Sequence, residues 1–276
     1  MMYNYCVIIG AYNPPEIFFE TVKKLEQMKI NTFVIYSGKD IDLGYESKYI
    51  RIIKANNYGI GSNFNMGMKL AIDSGFDLMT LFTDDVSILP DFSEYNIIDY
   101  YSRFCSKDDI LSLIFVNDSL RTTKFILDSG MTFSSNVAKT IQFRTDLIID
   151  QQDVYFCYQL NNNIGGKIKS FNKIMLNVLP VGRSLRGNMN FIPSFRIYLI
   201  TRNSLKLFLE TKNYSFFKSF IYFAVGYLMK AIIGKEKNSF YAFFAGIVDS
   251  LRGEMRVTVN LQKLSDHRFS EPSHDH

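Results

Sequence analysis

The first 85 residues alternate apolar runs with stretches of helical spacing. Residues 5–12 form an unbroken apolar run typical of a buried strand, and Asn13-Pro14-Pro15-Glu16 ends it and opens a helix that extends to about Met28. The same alternation predicts strands at residues 31–37, 50–54 and 78–83, and a helix at residues 63–74. This order is typical of a doubly wound α/β fold with a mostly parallel sheet flanked by helices.

Polar residues follow each of these predicted strands. They lie at Asn13, at Asp40, in the segment 56–61 and at Asp84-Asp85. Because the carboxyl ends of parallel strands share one edge of a sheet, these loops should converge where such folds bind ligands. Carboxylates at that edge can hold a divalent cation, which would bind the phosphates of a nucleotide. The pattern predicts a nucleotide site, although acidic residues after a buried strand also begin ordinary solvated loops.

Several blocks of residues carry a resemblance that extends from residue 3 to about residue 255. They are Asn13; Asn57-Tyr58-Gly59-Ile60-Gly61-Ser62-Asn63-Phe64-Asn65-Met66-Gly67; Thr83-Asp84-Asp85-Val86 with Pro90; Phe143 with Ile148-Ile149-Asp150-Gln151-Gln152-Asp153-Val154-Tyr155-Phe156-Cys157; and Phe195-Arg196-Ile197-Tyr198 with Thr201-Arg202-Asn203. In order and approximate spacing, the set resembles the family 2 glycosyltransferases of the GT-A fold, and within them the rhamnosyltransferase-like branch. The resemblance implies an inverting hexosyltransferase that moves a sugar from a nucleotide-diphosphate donor, dTDP-rhamnose or a UDP-hexose, to an acceptor hydroxyl.

The resemblance also implies a metal ion at the acidic pair. Asp85 matches the last acid of the family's DxD motif and is the expected ligand of Mg²⁺ or Mn²⁺, while Asp84 fills the middle position and is expected to face the donor sugar or ribose. Thr83 replaces the first acid, so one carboxylate of the family's pattern is missing. A single carboxylate with diphosphate oxygens and waters can still hold such an ion, since Mg²⁺ commonly keeps several waters.

The resemblance assigns the general base to Asp153, the second acid of the family's acceptor-side motif. A carboxylate can remove the acceptor's proton when it lies within hydrogen-bond reach of the hydroxyl. Asp150 is the nearest competitor, but three residues earlier it is better placed as a helix cap or structural acid, and Asp153 itself can also be only a first-turn acid. Gln159 stands where the family has Arg, and no His occurs near residues 179–182.

Residues expected to contact the donor lie in the predicted loops and at the start of one helix. They are Asn13, Asp40, Asn57, Gly59, Asn65, Asp84 and Arg183. Asn13 and Asp40 match family positions that approach the base and ribose, and Asn65 matches one near the nucleotide.

Two of these positions rest on local chemistry. Asn57 and Gly59 would let the backbone approach a ligand closely or turn tightly. Arg183, with Arg186, lies in a Gly-containing loop that could close over the diphosphate, because the guanidinium fork matches phosphate oxygens. Turn formation and plain solvation are the ordinary explanations of such residues.

Charge divides the chain into two parts. Residues 1–182 carry 17 basic and 20 acidic side chains, whereas residues 183–268 carry 14 basic and 5 acidic ones. The sequence predicts a catalytic domain at residues 1–200, a basic, aromatic-rich helical region at 201–256 and a tail at 257–276. Nucleic acid is a poor partner for the basic region, because aromatics dominate it and no recognition motif accompanies the charge.

The basic region favours contact with a membrane surface. On a helix, Lys218, Tyr222, Gly226 and Lys230 form one narrow polar stripe on a largely apolar surface. The uncharged run between the lysines, residues 219–229, is short against the roughly 20 residues of a span, so no transmembrane helix is predicted. Helices lying on an anionic membrane fit the pattern, as does packing on each other or in a homo-oligomer.

Membrane contact suits a lipid-linked glycan acceptor, which this branch often uses in surface polysaccharide synthesis. The start of the chain lacks a secretory signal, and three widely spaced cysteines are expected to be core thiols, so we expect a cytoplasmic protein peripheral on the inner face of the membrane. Two alternatives remain. Nucleotidyl transfer usually needs a Gly-rich basic loop after the first strand, which Asn13-Pro14-Pro15-Glu16 does not supply; a catalytically inactive, membrane-associated partner would explain Thr83 and Gln159.

Overall fold

The chain forms two compact units. The computed structural model describes residues 3–55, 59–114, 121–123, 128–170, 174–178, 184–186, 189–191, 193–233 and 238–253. The first unit comprises Met1–Ile148 and Gln152–Val181, and the second comprises Ile149–Gln151 and Gly182–His276. Three residues in the middle of the sequence therefore belong to the second unit.

The first unit alternates strands and helices along its first half. Its elements are β1 Tyr5–Tyr12, α1 Glu16–Gln27, β2 Thr32–Ser37, β3 Ile50–Lys54, α2 Ile60–Asp73, β4 Leu78–Thr83, β5 Val86–Ile88, α3 Glu94–Phe104, β6 Ile110–Ser112, β7 Arg121–Thr123, β8 Met131–Ser134, α4 Ser135–Thr140, a 3₁₀ turn Thr145–Leu147, α5 Gln152–Gln159 continued by a π-helical turn Leu160–Ile164, β9 Ile168–Ser170 and β10 Leu176–Val178. The predicted strands agree with β1 to β4. Helix α2 begins three residues earlier than predicted, because Ile60, Gly61 and Ser62 form its first turn.

An eight-stranded sheet forms the centre of the first unit. Its order is β3-β2-β1-β4-β8-β6-β9-β7. The neighbours from β3 to β4 are parallel, as are β6 and β9, while β8 and β7 run antiparallel to their neighbours. Four of the seven pairings are therefore parallel, which confirms the predicted mostly parallel sheet. The chain leaves β1 for β2 on one side and later adds β4 on the other, so the strand order reverses at β1.

Both faces of this sheet are covered by apolar cores. Val7 and Ile9 of β1 belong to a cluster that includes side chains of α1 and α3. Cys6 and Ile8 point to the opposite face, into a cluster that includes side chains of α2, α4 and α5. This alternation along β1 confirms the doubly wound architecture. Cys6 and Cys157 are buried, as predicted, Cys105 is partly buried, and none of the three is in a disulfide among the described residues.

The second unit is mainly helical. It contains a hairpin of β11 Ser184–Arg186 and β12 Met189–Phe191, then α6 Ser194–Thr211, α7 Tyr214–Ser219, a π-helical turn Phe220–Val225, α8 Gly226–Ile233 and α9 Ser239–Arg252. The predicted C-terminal helices are therefore present. The predicted boundary between residues 200 and 201 falls inside α6, because the apolar face of this helix begins well before the basic, aromatic-rich stretch. The predicted tail, residues 257–276, lies outside the described residues.

Helix α7, the π-helical turn and α8 together form one helical segment, Tyr214–Ile233. It has 20 residues and a mean hydropathy of 1.5 over its most apolar window, so by length and composition it is one helix in the described chain that can cross a membrane. The sequence expectation counted only the uncharged run between two lysines and therefore excluded a span. A core helix of a soluble protein can have the same length and composition. By length and composition, the segment is thus a candidate for membrane contact.

Candidate functional site

The acidic pair lies where the strand order of the sheet reverses. β1 pairs with β2 on one side and with β4 on the other, and the register places Gly10 opposite Thr83. Beyond that pair, the backbone N–H of Tyr12 donates a hydrogen bond of 2.8 Å to Asp84 Oδ2. Ligands of open α/β sheets bind outside the carboxyl ends of strands at such a reversal. Asp84 and Asp85 therefore lie at the expected edge.

The loops after β1 and β2 and the end of β3 are tied together at the same edge. Asn13 has a positive φ of 47°, and its Oδ1 accepts the backbone N–H of Lys39 at 2.9 Å. Asp40 Oδ1 accepts a hydrogen bond of 3.1 Å from the Tyr36 hydroxyl and forms an ion pair with Lys54, whose Nζ lies 2.6 Å away. The Lys54 ammonium holds the pKa of Asp40 below its usual value, with help from the Tyr36 hydroxyl. The predicted ribose-side residues Asn13 and Asp40 are thus neighbours along one connected rim.

Asp84 is an unusual carboxyl group. Burial raises its pKa to about 6, and the nearby charge of Asp85 adds to the rise, although the Tyr12 N–H opposes it. A carboxyl group in this position gains from any positive charge placed near it. The pair is therefore prepared to receive a cation or a hydrogen-bond donor.

Thr83 takes part in the acidic site although it is not an acid. Its hydroxyl donates to Asp85 Oδ1 at 2.5 Å and is hydrogen-bonded to the hydroxyl of Ser129. Ser129 is 3 % exposed, and its backbone N–H donates to Asp128 Oδ1 at 2.9 Å. The hydroxyl pair therefore orients one oxygen of Asp85, which is a role that a carboxylate at position 83 could not serve without a shared proton.

The acidic pair fits only one kind of metal binding. Within the described ranges, no three or more His, Cys, Asp and Glu side chains group closely enough to enclose an ion. One oxygen of Asp84 already accepts the Tyr12 N–H, and Thr83 donates to one oxygen of Asp85. This donor set suits Mg²⁺ or Mn²⁺ held by one or two carboxylates, with the remaining ligands from a diphosphate and water.

Gly59 and Asn65 connect α2 to the segment before α5. Gly59 has a φ of +117°, and a Cβ there would lie 3.0 Å from the carbonyl oxygen of Ile148, which also accepts the N–H of Ile60 at 3.2 Å. The Asn65 amide exchanges two hydrogen bonds of 2.8 Å with the backbone of Phe143. These contacts give both residues a structural part, and their contact with a donor stays a prediction.

Asp150 and Asp153 have different surroundings. Asp150 and Arg196 both belong to the second unit. The Arg196 guanidinium donates two hydrogen bonds to the Asp150 carboxylate, from Nη2 to Oδ1 at 2.5 Å and from Nε to Oδ2 at 3.3 Å. The Asn203 amide donates to its backbone oxygen at 3.1 Å. This is the structural acid that the sequence suggested. Asp153 lies partly exposed in the first turn of α5, where its Oδ1 accepts the Val154 N–H at 2.8 Å.

Sequence reasoning did not assign roles to Asn63, Ser37 and Ser129. Asn63 is 2 % exposed; its amide donates to the carbonyl oxygen of Ala11 and accepts from the Ser37 hydroxyl, both at 3.3 Å, which joins the ends of β1 and β2 to α2. Its signal was available, because Asn63 is a polar residue beside the buried Phe64 on α2. Ser129 had no such signal, since 46 residues separate it from Thr83. Predicted donor residues Asn57 and Arg183, and the Arg186 side chain, lie outside the part of the chain that can be described.

The fold resembles that of a solved nucleotide-sugar-bound protein. Residues 1–349 of Staphylococcus aureus TarS in complex with UDP-GlcNAc align with a TM-score of 0.56 and 13 % identity over 91 % of this chain and 81 % of that one. A second crystal structure of TarS 1–349 aligns with a TM-score of 0.53 and 13 % identity over 90 % of this chain and 80 % of that one. No protein-family model matches the sequence, and a search of curated proteins returns no match. At this identity the similarity establishes a GT-A-type fold for the chain, and function has to come from the site.

Proposed function

We propose that the protein is an inverting glycosyltransferase that moves a hexose from a nucleotide-diphosphate donor to an acceptor hydroxyl. The observation that carries the proposal is the edge of the sheet where β1, β2 and β4 end: Asp84, Asp85, Asn13 and Asp40 all follow these strands. Oxygen-rich loops at this edge suit a nucleotide with its diphosphate. The similarity of the fold to that of TarS bound to UDP-GlcNAc agrees with this proposal.

Asp85 is the residue proposed to hold Mg²⁺ or Mn²⁺. When bound, such an ion neutralises the charge that develops on the leaving diphosphate. Thr83 donates to Asp85 Oδ1 and so sets the orientation of this carboxylate before any donor arrives. Because few protein oxygens are available, we expect strong metal binding only when a nucleoside diphosphate is present.

Asp153 is the proposed general base. A carboxylate there would accept the proton of the acceptor hydroxyl as that oxygen attacks the anomeric carbon from the face opposite the diphosphate, which inverts the configuration. Its partial exposure on the first turn of α5 suits a group that an acceptor must reach. Asp150 is the weaker candidate, because its carboxylate already pairs with Arg196.

The finer identity of the substrates rests on the family resemblance. We propose dTDP-rhamnose or a UDP-hexose as donor and a lipid-linked glycan of surface polysaccharide synthesis as acceptor, with the enzyme cytoplasmic and peripheral on the inner membrane face. The rhamnosyltransferase-like branch of family 2 is part of the same proposal.

A catalytically inactive partner is the second candidate. Thr83 in place of an acid favours it, because the hydroxyl cannot bind a cation as a carboxylate does. Asp84, Asp85 and Asp153 are all present, which favours catalysis. Donor turnover separates the two.

The test is binding and slow hydrolysis of a panel of UDP- and dTDP-sugars, with Mn²⁺ or with EDTA. The native chain is compared with Asp85→Asn and Asp153→Asn. Asp73→Asn is the matched control, because Asp73 is an exposed acid at the far end of α2 that pairs with the exposed Lys69. We expect one donor to be turned over with Mn²⁺, both site variants to lose at least about a hundredfold of the rate, and the control to match the native chain.

Two results would contradict the proposal. If no nucleotide sugar binds with or without Mn²⁺, the enzyme assignment fails. If a donor binds but is not turned over by the native chain even with lipid-linked acceptors, the inactive partner becomes the better explanation.

A further inference from the structure

Helix α9 exposes most of its large apolar side chains and buries mainly small or polar ones. The residues that it buries are Phe243 and five small or polar ones, Ser239, Ala242, Gly246, Asp249 and Ser250. Its large apolar residues Phe240, Phe244, Val248 and Leu251 are spaced four, four and three apart and are 41 % to 68 % exposed. That spacing places them on one stripe of the helix. A helix of a soluble unit normally turns such a stripe toward the interior.

The segment Tyr214–Ile233 exposes a second apolar surface. Tyr222, Met229 and Ile233 are all more than half exposed, at 78 %, 54 % and 61 %. Its buried side carries Phe216 and Leu228 together with the smaller Ser219, Ala224 and Ala231. The two helices touch through Phe220 and Phe243, whose ring centroids lie 5.9 Å apart. The second unit therefore presents two neighbouring helices that both direct large apolar groups outward.

The interior of the second unit is mixed: Ile197, Leu199 and Leu228 belong to a buried apolar cluster, and several polar groups are buried as well. Tyr198 of α6 donates its hydroxyl to the buried Asp249 of α9 at 2.6 Å. Arg202 is fully buried, and its Nη1 donates to Asn203 Oδ1 at 2.9 Å. Gly246 allows close packing, since a Cβ there would lie 2.7 Å from the backbone oxygen of Tyr198. Polar or small side chains between helices and apolar ones outside are typical of proteins whose surroundings are lipid.

We propose that these two stripes dock in the plane of an anionic lipid surface. Charge selects lipid over another apolar partner, because the exposed side chains Lys218, Lys230 and Arg252 lie on the same helices as the stripes. Apolar burial at the boundary between headgroups and acyl chains combines with lysine and arginine attraction to acidic lipids. The inference rests on the peripheral location given under the proposed function and names the surface that makes the contact. Because it needs only the second unit and no nucleotide sugar, its test can fail while the catalytic assignment stands.

The lysines favour a helix that lies in the membrane plane over one that crosses it. Lys218 and Lys230 are 12 positions apart, which is about 18 Å along a helix. The hydrocarbon layer is roughly 30 Å thick, so a crossing helix would bring at least one of these exposed ammonium groups into it. In the plane, both lysines reach the headgroups at the same depth.

The absence of tryptophan from the chain makes a direct test possible. Phe244→Trp and Tyr222→Trp each introduce a single reporter on one stripe. Tyr95→Trp is the control, because Tyr95 is 76 % exposed on α3 of the first unit. Full-length variants are mixed with vesicles of phosphatidylcholine alone or with phosphatidylglycerol. We expect a blue shift for both stripe reporters with the anionic vesicles, quenching by lipids brominated near the headgroup, and no change for the control.

Vesicle flotation of further variants separates the two contributions. The pair Phe244→Ser and Leu251→Ser should lower binding by on the order of tenfold on both vesicle types. The pair Lys218→Gln and Lys230→Gln should lower it by on the order of tenfold on anionic vesicles only. Lys69→Gln, an exposed lysine of α2, is the matched control and should bind as the native chain does.

Three outcomes overturn the proposal. One is failure of the native chain to float with anionic vesicles. Another is strongest quenching of the Tyr222→Trp reporter by lipids brominated at the end of the acyl chain, which would show a crossing helix. The last is a stable oligomer, measured by light scattering, that Phe244→Ser with Leu251→Ser dissociates while no vesicle binds, which would show that a second copy covers the stripes.

Discussion

Both units bury an apolar core, but the second also exposes two stripes of large apolar residues. In the first, β1 places Val7 and Ile9 on one buried face and Cys6 and Ile8 on the other, and polar groups collect where the strands end. In the second, α9 buries Asp249 and Ser250 and exposes Phe244 and Leu251. Burial of apolar surface stabilises the first unit by itself. The two stripes of the second unit stay exposed in its own fold. For this reason we propose a lipid surface as their partner.

The largest effect that tests this contrast is expected at Asp153 of the first unit. Asp153→Asn keeps the size of the side chain but removes the proposed base, so we expect kcat to fall by roughly 10² to 10⁴ while donor affinity stays within about twofold. Steady-state kinetics with donor and acceptor, and calorimetry with the donor alone, measure the two quantities.

The control for that variant is a second Asp→Asn change away from the rim. Asp73→Asn should leave both quantities unchanged, because Asp73 only pairs with Lys69 on the surface. Equal loss of donor binding and kcat in Asp153→Asn would instead show a structural acid and would move attention to Asp150.

A pair of glycines tests the close packing of α6 against α9 in the second unit. Gly246→Ala would place a Cβ 2.7 Å from the Tyr198 oxygen and 3.1 Å from the Arg202 nitrogen, so α6 and α9 must separate. We expect a cost of about 2 kcal/mol, seen as faster hydrogen exchange of α6 and α9 amides. A Cβ at Gly226 meets nothing within 4 Å, so Gly226→Ala in α8 should stabilise its helix by about 0.5 kcal/mol. Equal effects of the two changes would contradict close packing at Gly246.

The sequence predicted the first half of the first unit well, because periodicity there reports burial directly. Residues 5–12 and 50–54 were identified with the bounds that β1 and β3 have. The order of β8, β6, β9 and β7 was not predicted, since short strands of three or four residues carry little pattern. Strand order between distant segments depends on packing that no local window contains.

The site was predictable in its acids and less so in its supports. Asp84 and Asp85 stood out because they end an apolar run, but the Thr83 and Ser129 hydroxyl pair joins residues 46 positions apart.

The expectation for a membrane-spanning helix also depended on more than a local run of residues. An uncharged run of 11 residues argued against a span, whereas the described helix continues through both lysines to 20 residues. Which side of that helix is buried is a property of its neighbours and cannot be read from composition.

Protonation of Asp84 should make the first unit more stable in mild acid. Its folded pKa is about 6, above the value of 3.8 for an exposed carboxyl, so the folded state holds an extra proton between these values. Stability from this group therefore rises as pH falls from above 6 toward 4, by roughly 1 to 3 kcal/mol at most. Denaturant unfolding in EDTA at pH 7.5 and pH 4.5 measures the change for native chain and Asp84→Asn.

The comparison isolates Asp84 and its coupling to Asp85, since groups farther away titrate equally in both chains. Asparagine keeps an acceptor for the Tyr12 N–H and has no charge, so Asp84→Asn should gain less stability than the native chain as the pH falls. A native chain and variant with the same pH dependence would show that burial of Asp84 does not matter for stability.

The smallest effect concerns Thr83, whose hydroxyl stands where the family motif has an acid and donates to Asp85. Thr83→Val removes the donor to Asp85 Oδ1 and leaves the shape of the side chain, so Mn²⁺ binding in the presence of a nucleoside diphosphate should weaken by about tenfold. Thr83→Ser keeps the hydroxyl and should bind within about twofold of the native chain. Manganese electron paramagnetic resonance measures the bound fraction without turnover. Native affinity in Thr83→Val would mean that Asp85 needs no positioning, and that the hydroxyl pair with Ser129 serves only to close the end of β4.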